Sequence, residues 1–212
     1  MKNSPKLIIF DLDGTLIDSA RDLAAAVNEM RRHFDLPPLD VATITGYVGN
    51  GVRLLVSRAL QGTTINVDDA LRIQAPIYRA HIVDDTTLYP GVYEGLGLLR
   101  DRGHVLAVAT NKPAEACDLI LTHFGIRDWF ASVLAGGRFP VLKPEPDMIL
   151  DIMKTARMPP NDTWVVGDNY TDLESARRAG VRSIFVTYGY GEPGNEKPTL
   201  TCRSFGEVMD QF

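Results

Sequence analysis

Five short, almost uninterrupted apolar runs constrain this chain most: Leu7 to Phe10, Val105 to Ala109, Val133 to Ala135, Trp164 to Val166 and Ser183 to Val186. A strand with one wet face alternates apolar and polar residues, whereas a strand of a parallel sheet, covered on both faces, does not. Between the later runs lie segments with apolar residues at helical spacing: Val92, Leu96 and Leu99; Leu119, Ile120 and Phe124; Leu173, Ala176 and Ala179. Gly103, Gly125 and Gly180 stand where these helices should stop. The alternation predicts an α/β fold with a doubly wound parallel sheet.

The stretch 19–85 interrupts that pattern, because it holds no convincing strand. Ser19 is placed to cap a helix with the stripe Leu23, Val27, Met30 and Phe34. Val52 to Leu60 and Ala70 to Ile82 suggest two more. The expected organisation is an α/β core over 1–18 and 86–212, with an all-helical insertion over 19–85. Its joints fall at Leu16 to Ser19 and at Thr86 to Gly91, where Pro90-Gly91 marks a turn. Gly189 to Pro198 reads as a surface loop.

Charge and length exclude several classes. The net charge of −5 comes without any basic block, which argues against a nucleic-acid partner. No apolar stretch is long enough to span a bilayer, and the N-terminal run is too short for a signal peptide. The two cysteines, Cys117 and Cys202, make neither a metal-ligand spacing nor a disulfide framework, so a reducing compartment, the cytoplasm, is expected. The four histidines share no ligand-like spacing and read as surface or helix-end residues.

In an open parallel sheet, ligands bind beyond the carboxyl ends of the strands. The residues there are Asp11-Leu12-Asp13, Thr110-Asn111-Lys112-Pro113, Lys143-Pro144 and Gly167-Asp168, with Asp172 close behind. A pair of carboxylates can divide labour, one attacking an electrophile and the other moving a proton. Such a pair also suits a hard cation such as magnesium. Each motif has a bland alternative: a D-x-D-G turn, an N-cap at Thr110-Asn111, a surface lysine before a Pro-x-Pro turn, and a helix cap at Asp172.

The ordered set Asp11 to Thr15, Thr110-Asn111, Lys143-Pro144 and Gly167-Asp168 with Asp172 resembles the four motifs of the haloacid dehalogenase superfamily over nearly the whole chain. Val48-Gly49-Asn50-Gly51-Val52, Tyr89-Pro90-Gly91-Val92 and Thr110-Asn111-Lys112-Pro113 look closer still to its phosphoglycolate phosphatase branch. The resemblance implies a Rossmann-like core with an inserted helical cap of the first type. It implies a phosphatase that uses Mg2+ and passes through an aspartyl phosphate on Asp11. Asp13 would be the acid and base, and Lys143 a charge beside the transferring oxygens. Asp11, the Asp13 carbonyl and Asp168 would hold the metal, with Asp172 as a second ligand or an outer partner. Thr110 and Asn111 would donate to phosphate oxygens, and Lys112 would add charge there. Thr15 would shape the turn.

Gly49-Asn50-Gly51 does not match a dinucleotide fingerprint and more simply forms a turn that presents backbone amides. Arg53 beside Gly51 would meet a substrate carboxylate, which 2-phosphoglycolate would supply. The expected partner is a small phosphorylated metabolite, and the expected state a monomer or homodimer. Two departures stand out: Asn169 where a serine is frequent, and Arg138 after Gly136-Gly137 where relatives often carry an acid. Alternatives are a phosphosugar mutase of the beta-phosphoglucomutase kind, a true dehalogenase, against which Asp13 argues, and a non-catalytic binding protein on the same fold.

Overall fold

The structure, a computed structural model, describes residues 4–212. Its main sheet has six parallel strands in the order β5-β4-β1-β6-β7-β8. These are β1 (Leu7–Phe10), β4 (Val105–Pro113), β5 (Ser132–Gly136), β6 (Thr163–Gly167), β7 (Arg182–Val186) and β8 (Leu200–Cys202). β1 sits in the middle, with Ile9 opposite Ala107 on one side and Val165 on the other.

The two faces of the sheet explain the unbroken apolar runs. Ile8 and Phe10 belong with Leu106, Val108, Val166 and Ile184 to one core. This core also contains residues of α5 (Val92–Asp101), α6 (Ala114–His123) and α9 (Phe205–Met209). Leu7 and Ile9 belong with Ala107, Ala109 and Val165 to the other, packed with α7 (Asp147–Ala156) and α8 (Tyr170–Ala179). Every residue of β1 is fully buried, and each such side chain contributes roughly 1.5–3 kcal/mol.

Between β1 and β4 the chain leaves the sheet through β2 (Ile17–Asp18) and returns through β3 (Thr87–Leu88), which pair antiparallel. Four helices lie between them: α1 (Ala20–His33), α2 (Val41–Thr45), α3 (Val52–Ala59) and α4 (Val67–Ala80). They share a core of their own around Val27, Met30, Ile44, Val56 and Ala70. Asp22 of α1 fastens this segment to its return joint, accepting hydrogen bonds from Asp85 N, Thr86 N and Thr86 Oγ1. None of the helices among the described residues is long and apolar enough to cross a membrane.

Some expectations need correction. α2 and β8 were not foreseen, because five and three residues are too few to display a period. Ser19 stands before α1 but caps nothing; its hydroxyl is used by Asp13. Strand β4 runs on to Pro113, and its pairing with β5 slips between Thr110 and Pro113. Such an irregularity re-aims side chains at a strand's end. His104 follows α5 but is buried, and its Nδ1 accepts from Lys6 N.

Candidate active site

All the motif residues gather at the carboxyl edge of the sheet, because parallel strands point their ends the same way. Asp11 follows β1 directly, and its backbone N–H bonds the Val166 carbonyl of β6. Asp168 follows β6, and Asp172 is the third residue of α8. The carboxylates of Asp11, Asp168 and Asp172 each offer an oxygen, all within 4.8 Å of one another.

Lys143, almost wholly buried, is the cation of this cluster. Its Nζ lies 2.5 Å from Asp172 Oδ1, 2.5 Å from the Ala109 carbonyl and 2.9 Å from Asp11 Oδ1. The contact with Asp11 is off-axis, so Asp11 Oδ1 is buried without a well-directed hydrogen bond. Burial pulls the Lys143 ammonium towards its neutral form, but the Asp11 and Asp172 carboxylates outweigh it and hold its pKa above the ordinary value.

Asp168 is pinned by the backbone. Its Oδ2 accepts from Tyr190 N at 3.0 Å and Gly191 N at 2.8 Å, and its Oδ1 accepts from Thr15 Oγ1 at 3.3 Å. Burial, then the charges of Asp172 and Asp11, push its pKa well above the usual carboxylate range. The approach is so close that a Cβ on Gly14 would lie 2.1 Å from Asp168 Oδ2, and Gly14 also has φ +79°. Only glycine fits there.

Three buried carboxylates stand beside one ammonium, which contacts Asp11 and Asp172, so the cluster keeps excess negative charge. That donor set of oxygens fits a hard divalent cation such as Mg2+. The sequence marks Asp172 as the weaker metal candidate, and the structure brings its carboxylate into the cluster. Asp172 also performs the bland role. Its Oδ2 accepts from Asn169 N while Asn169 Oδ1 accepts from Thr171 N, a reciprocal cap for α8.

The Asp13 carboxylate points elsewhere. Lys112 Nζ approaches its two oxygens at 2.8 and 3.0 Å, and the Ser19 hydroxyl donates to Oδ1. Lys112 also reaches the phenol oxygen of Tyr78, on α4, at 2.7 Å. Burial opposes the charge of Lys112, yet Asp13 and Tyr78 together hold its pKa above the ordinary value. Burial raises the Tyr78 phenol to about 12. Lys112 is therefore committed to Asp13 and does not stand free for an anion.

Asn111 is also committed. Its Nδ2 donates to the carbonyls of Gly49 and Lys143, both at 2.8 Å, and its Oδ1 accepts from Lys143 N. It ties the glycine-rich turn of the helical segment to the Lys143 loop. Thr110 Oγ1 accepts from Lys112 N. Asn50 adds a second tie, donating to the Tyr170 phenol oxygen at 2.7 Å.

A cavity of about 150 Å³ lies between the helical segment and the sheet edge. Asp11, Asp13, Gly51, Thr110, Asn111 and Lys112 line it. Arg53 does not: its guanidinium pairs with Asp68 at 2.5 Å on the outer surface. The structure thus keeps the expected carboxylate receptor out of the site. Arg138 likewise turns outward, to Asp118 at 2.8 Å.

Sequence reasoning missed Ser19, Tyr78, Tyr190 and Gly191. The last two act through backbone N–H groups, which carry no side-chain signature. The segment read as a surface loop in fact closes over Asp168. A hint existed in Gly189: a Cβ there would lie 2.3 Å from the Gly14 carbonyl oxygen.

Comparison with known proteins identifies the family. The family model of haloacid dehalogenase-like hydrolases matches residues 8–186. A phosphoglycolate phosphatase of Chromobacterium violaceum is 39% identical over 211 residues, covering 97% of this chain and 95% of that protein. One from Pseudomonas putida is 40% identical, covering 92% and 75%. The crystal structure of a predicted phosphoglycolate phosphatase from Haemophilus somnus superposes with a TM-score of 0.94 at 31% identity, covering 99% and 98% of the two chains.

Proposed function

We infer the reaction from one premise: the chain belongs to the haloacid dehalogenase-like hydrolase family and is a phosphoric monoester hydrolase. We propose that it hydrolyses a small phosphorylated metabolite, 2-phosphoglycolate first among the candidates, in two steps through an aspartyl phosphate on Asp11. The observation that carries this reading is Asp11 itself. It lines the cavity at the end of β1, and the Lys143 ammonium stands 2.9 Å from its Oδ1.

A carboxylate and a phosphate dianion repel each other, so the site must supply positive charge where they meet. Lys143 supplies part of it. Asp11, Asp168 and Asp172 would hold Mg2+, which neutralises phosphate oxygens and fixes the line of attack when bound. The carbonyl of Asp13, implied by the family's pattern, completes the proposed ligand set. Asp11 attacks phosphorus, the ester bond breaks, and Asp13 gives a proton to the leaving oxygen. Asp13 then takes a proton from the attacking water, and the bond between phosphorus and Asp11 breaks to release phosphate.

The helices over 19–85 act as the cap. Asn111 and Tyr170 hold the Gly49-Asn50 turn against the core, beside the cavity that Gly49 and Gly51 line. The cavity volume favours a compact organic group, since pockets for drug-sized ligands measure roughly 300–1,000 Å³. Cys117 and Cys202 are buried and unpaired, which fits a reducing compartment, and we place the enzyme in the cytoplasm.

The test is phosphate release from 2-phosphoglycolate, with and without Mg2+, by wild type and Asp11→Asn. Metal-dependent turnover that vanishes in a folded Asp11→Asn supports the proposal. A phosphorylated peptide containing Asp11, trapped by rapid quench, supports the intermediate. Robust turnover by the variant would falsify it.

A further inference from the structure

Helix α4 buries Ala70, Gln74 and Tyr78 on one stripe, one turn apart each. Gln74 is the anomaly: it is 1% exposed, and its Nε2 has no hydrogen-bond partner among the described residues. Buried amides are nearly always paired, and an orphan asks for an explanation. Gln74 lines the cavity that holds Asp11 and Asp13. On the cap side the cavity is also lined by Leu23, Val52, Leu55, Leu71 and Ile82, which offer no polar partner, and by Arg79.

We propose that the Gln74 amide is the specificity contact of the cap, hydrogen-bonding an oxygen on the organic part of the substrate. Resting on the function proposed above, this assigns the substrate class: a compact phosphomonoester with one acceptor oxygen beyond the phosphate, set against a cap wall made mostly of aliphatic side chains. For 2-phosphoglycolate that oxygen belongs to the carboxylate. Arg53, the obvious receptor, faces solvent and Asp68 instead. Lys112, the cavity's buried cation, is held by Asp13. Arg79 also lines the cap side but is taken by Glu115 at 2.5 Å, so the Gln74 amide is the buried polar group of the cap wall that lacks a partner among the described residues. A substrate without the oxygen leaves it unpaired and is rejected.

The experiment compares 2-phosphoglycolate with ethyl phosphate, which replaces the carboxylate by a methyl group. The readout is the ratio of their kcat/KM values, in wild type, Gln74→Leu and Gln74→Glu. Wild type should favour 2-phosphoglycolate. In Gln74→Leu the ratio should fall about ten- to a hundred-fold, chiefly because the carboxylate-bearing ester binds less tightly and its KM rises. Gln74→Glu, nearly isosteric, should lower it further by opposing the carboxylate. Without substrate, Gln74→Leu should melt no lower than wild type, because an unpaired buried amide has been replaced by a side chain of similar size.

An unchanged ratio in both variants overturns the assignment, whatever happens to their melting temperatures. If the wild type hydrolyses other phosphomonoesters but not 2-phosphoglycolate, the substrate reading fails separately. Gln74 is then judged by the same ratio on the best-cleaved ester and its deoxygenated analogue.

Discussion

Lys112 grips both carboxylate oxygens of Asp13, at 2.8 and 3.0 Å, across 99 residues of sequence. Both side chains are nearly buried, and Tyr78 of the cap completes the lysine's shell. The acid-base group of the proposed reaction is thus oriented by a core lysine that itself touches the cap. Replacing Lys112 by Met should lower kcat about ten- to a hundred-fold, part of what a positioned acid or base contributes, with KM little changed. Steady-state kinetics separate this from direct phosphate binding, which would raise KM instead. Tyr78→Phe should show the same effect in weaker form. Because Asp13 loses its buried partner, Lys112→Met should also cost about 3–5 kcal/mol in urea unfolding.

The cluster of Asp11, Asp168 and Asp172 predicts opposite responses to pH with and without metal. The folded-state pKa of Asp168 is raised by burial and by its two acidic neighbours. The native state therefore holds that proton longer than the unfolded chain does. Metal-free stability should fall as pH rises from the ordinary carboxylate value, 3.8, through the raised one. Mg2+ competes with the proton, so its stabilising effect should grow over the same range. Thermal melts at pH 5 and pH 8, with Mg2+ or with chelator, measure this. An equal Mg2+ shift at both pH values would contradict it.

Asn111 satisfies three backbone groups at once, on the cap turn and on the Lys143 loop. Asn111→Ala should cost about 1–3 kcal/mol, the usual penalty for orphaned buried groups. It should also expose the turn around Gly49. Hydrogen exchange should quicken in residues 48–52 and near Lys143 while strand β1 stays protected. If exchange at both places matches wild type, the tie between cap and core is not there.

Arg53 and Asp68 form an exposed pair on the outside of the cap. Such pairs contribute little, so Arg53→Ala should change the KM for phosphoglycolate by no more than about twofold. A tenfold rise in KM would show that the arginine turns inward when substrate binds, and would restore its expected role.

The sequence carried the fold because strand and helix periods are local. The runs at Leu7, Val105 and Trp164 had to be buried on both faces, and they lie at the centre of the sheet. The same locality explains the misses. Leu200 to Cys202 becomes a strand only because β7 is beside it, with Ile184 opposite Leu200. Ser19 had the right residue type for a helix cap, but a hydroxyl binds whichever acceptor tertiary folding brings nearest, here Asp13.

The amino-acid order alone determined which residues end the parallel strands, and so which acids, amides and lysines reach one edge of the sheet. Which of them face each other was decided in three dimensions. Asp172 joined Asp11 and Asp168, Asp13 turned to Lys112, Arg53 faced water, and Gln74 entered the cavity with its nitrogen unpaired. A side chain's partner depends on distances between segments far apart in the chain, and no local pattern of residues encodes those distances.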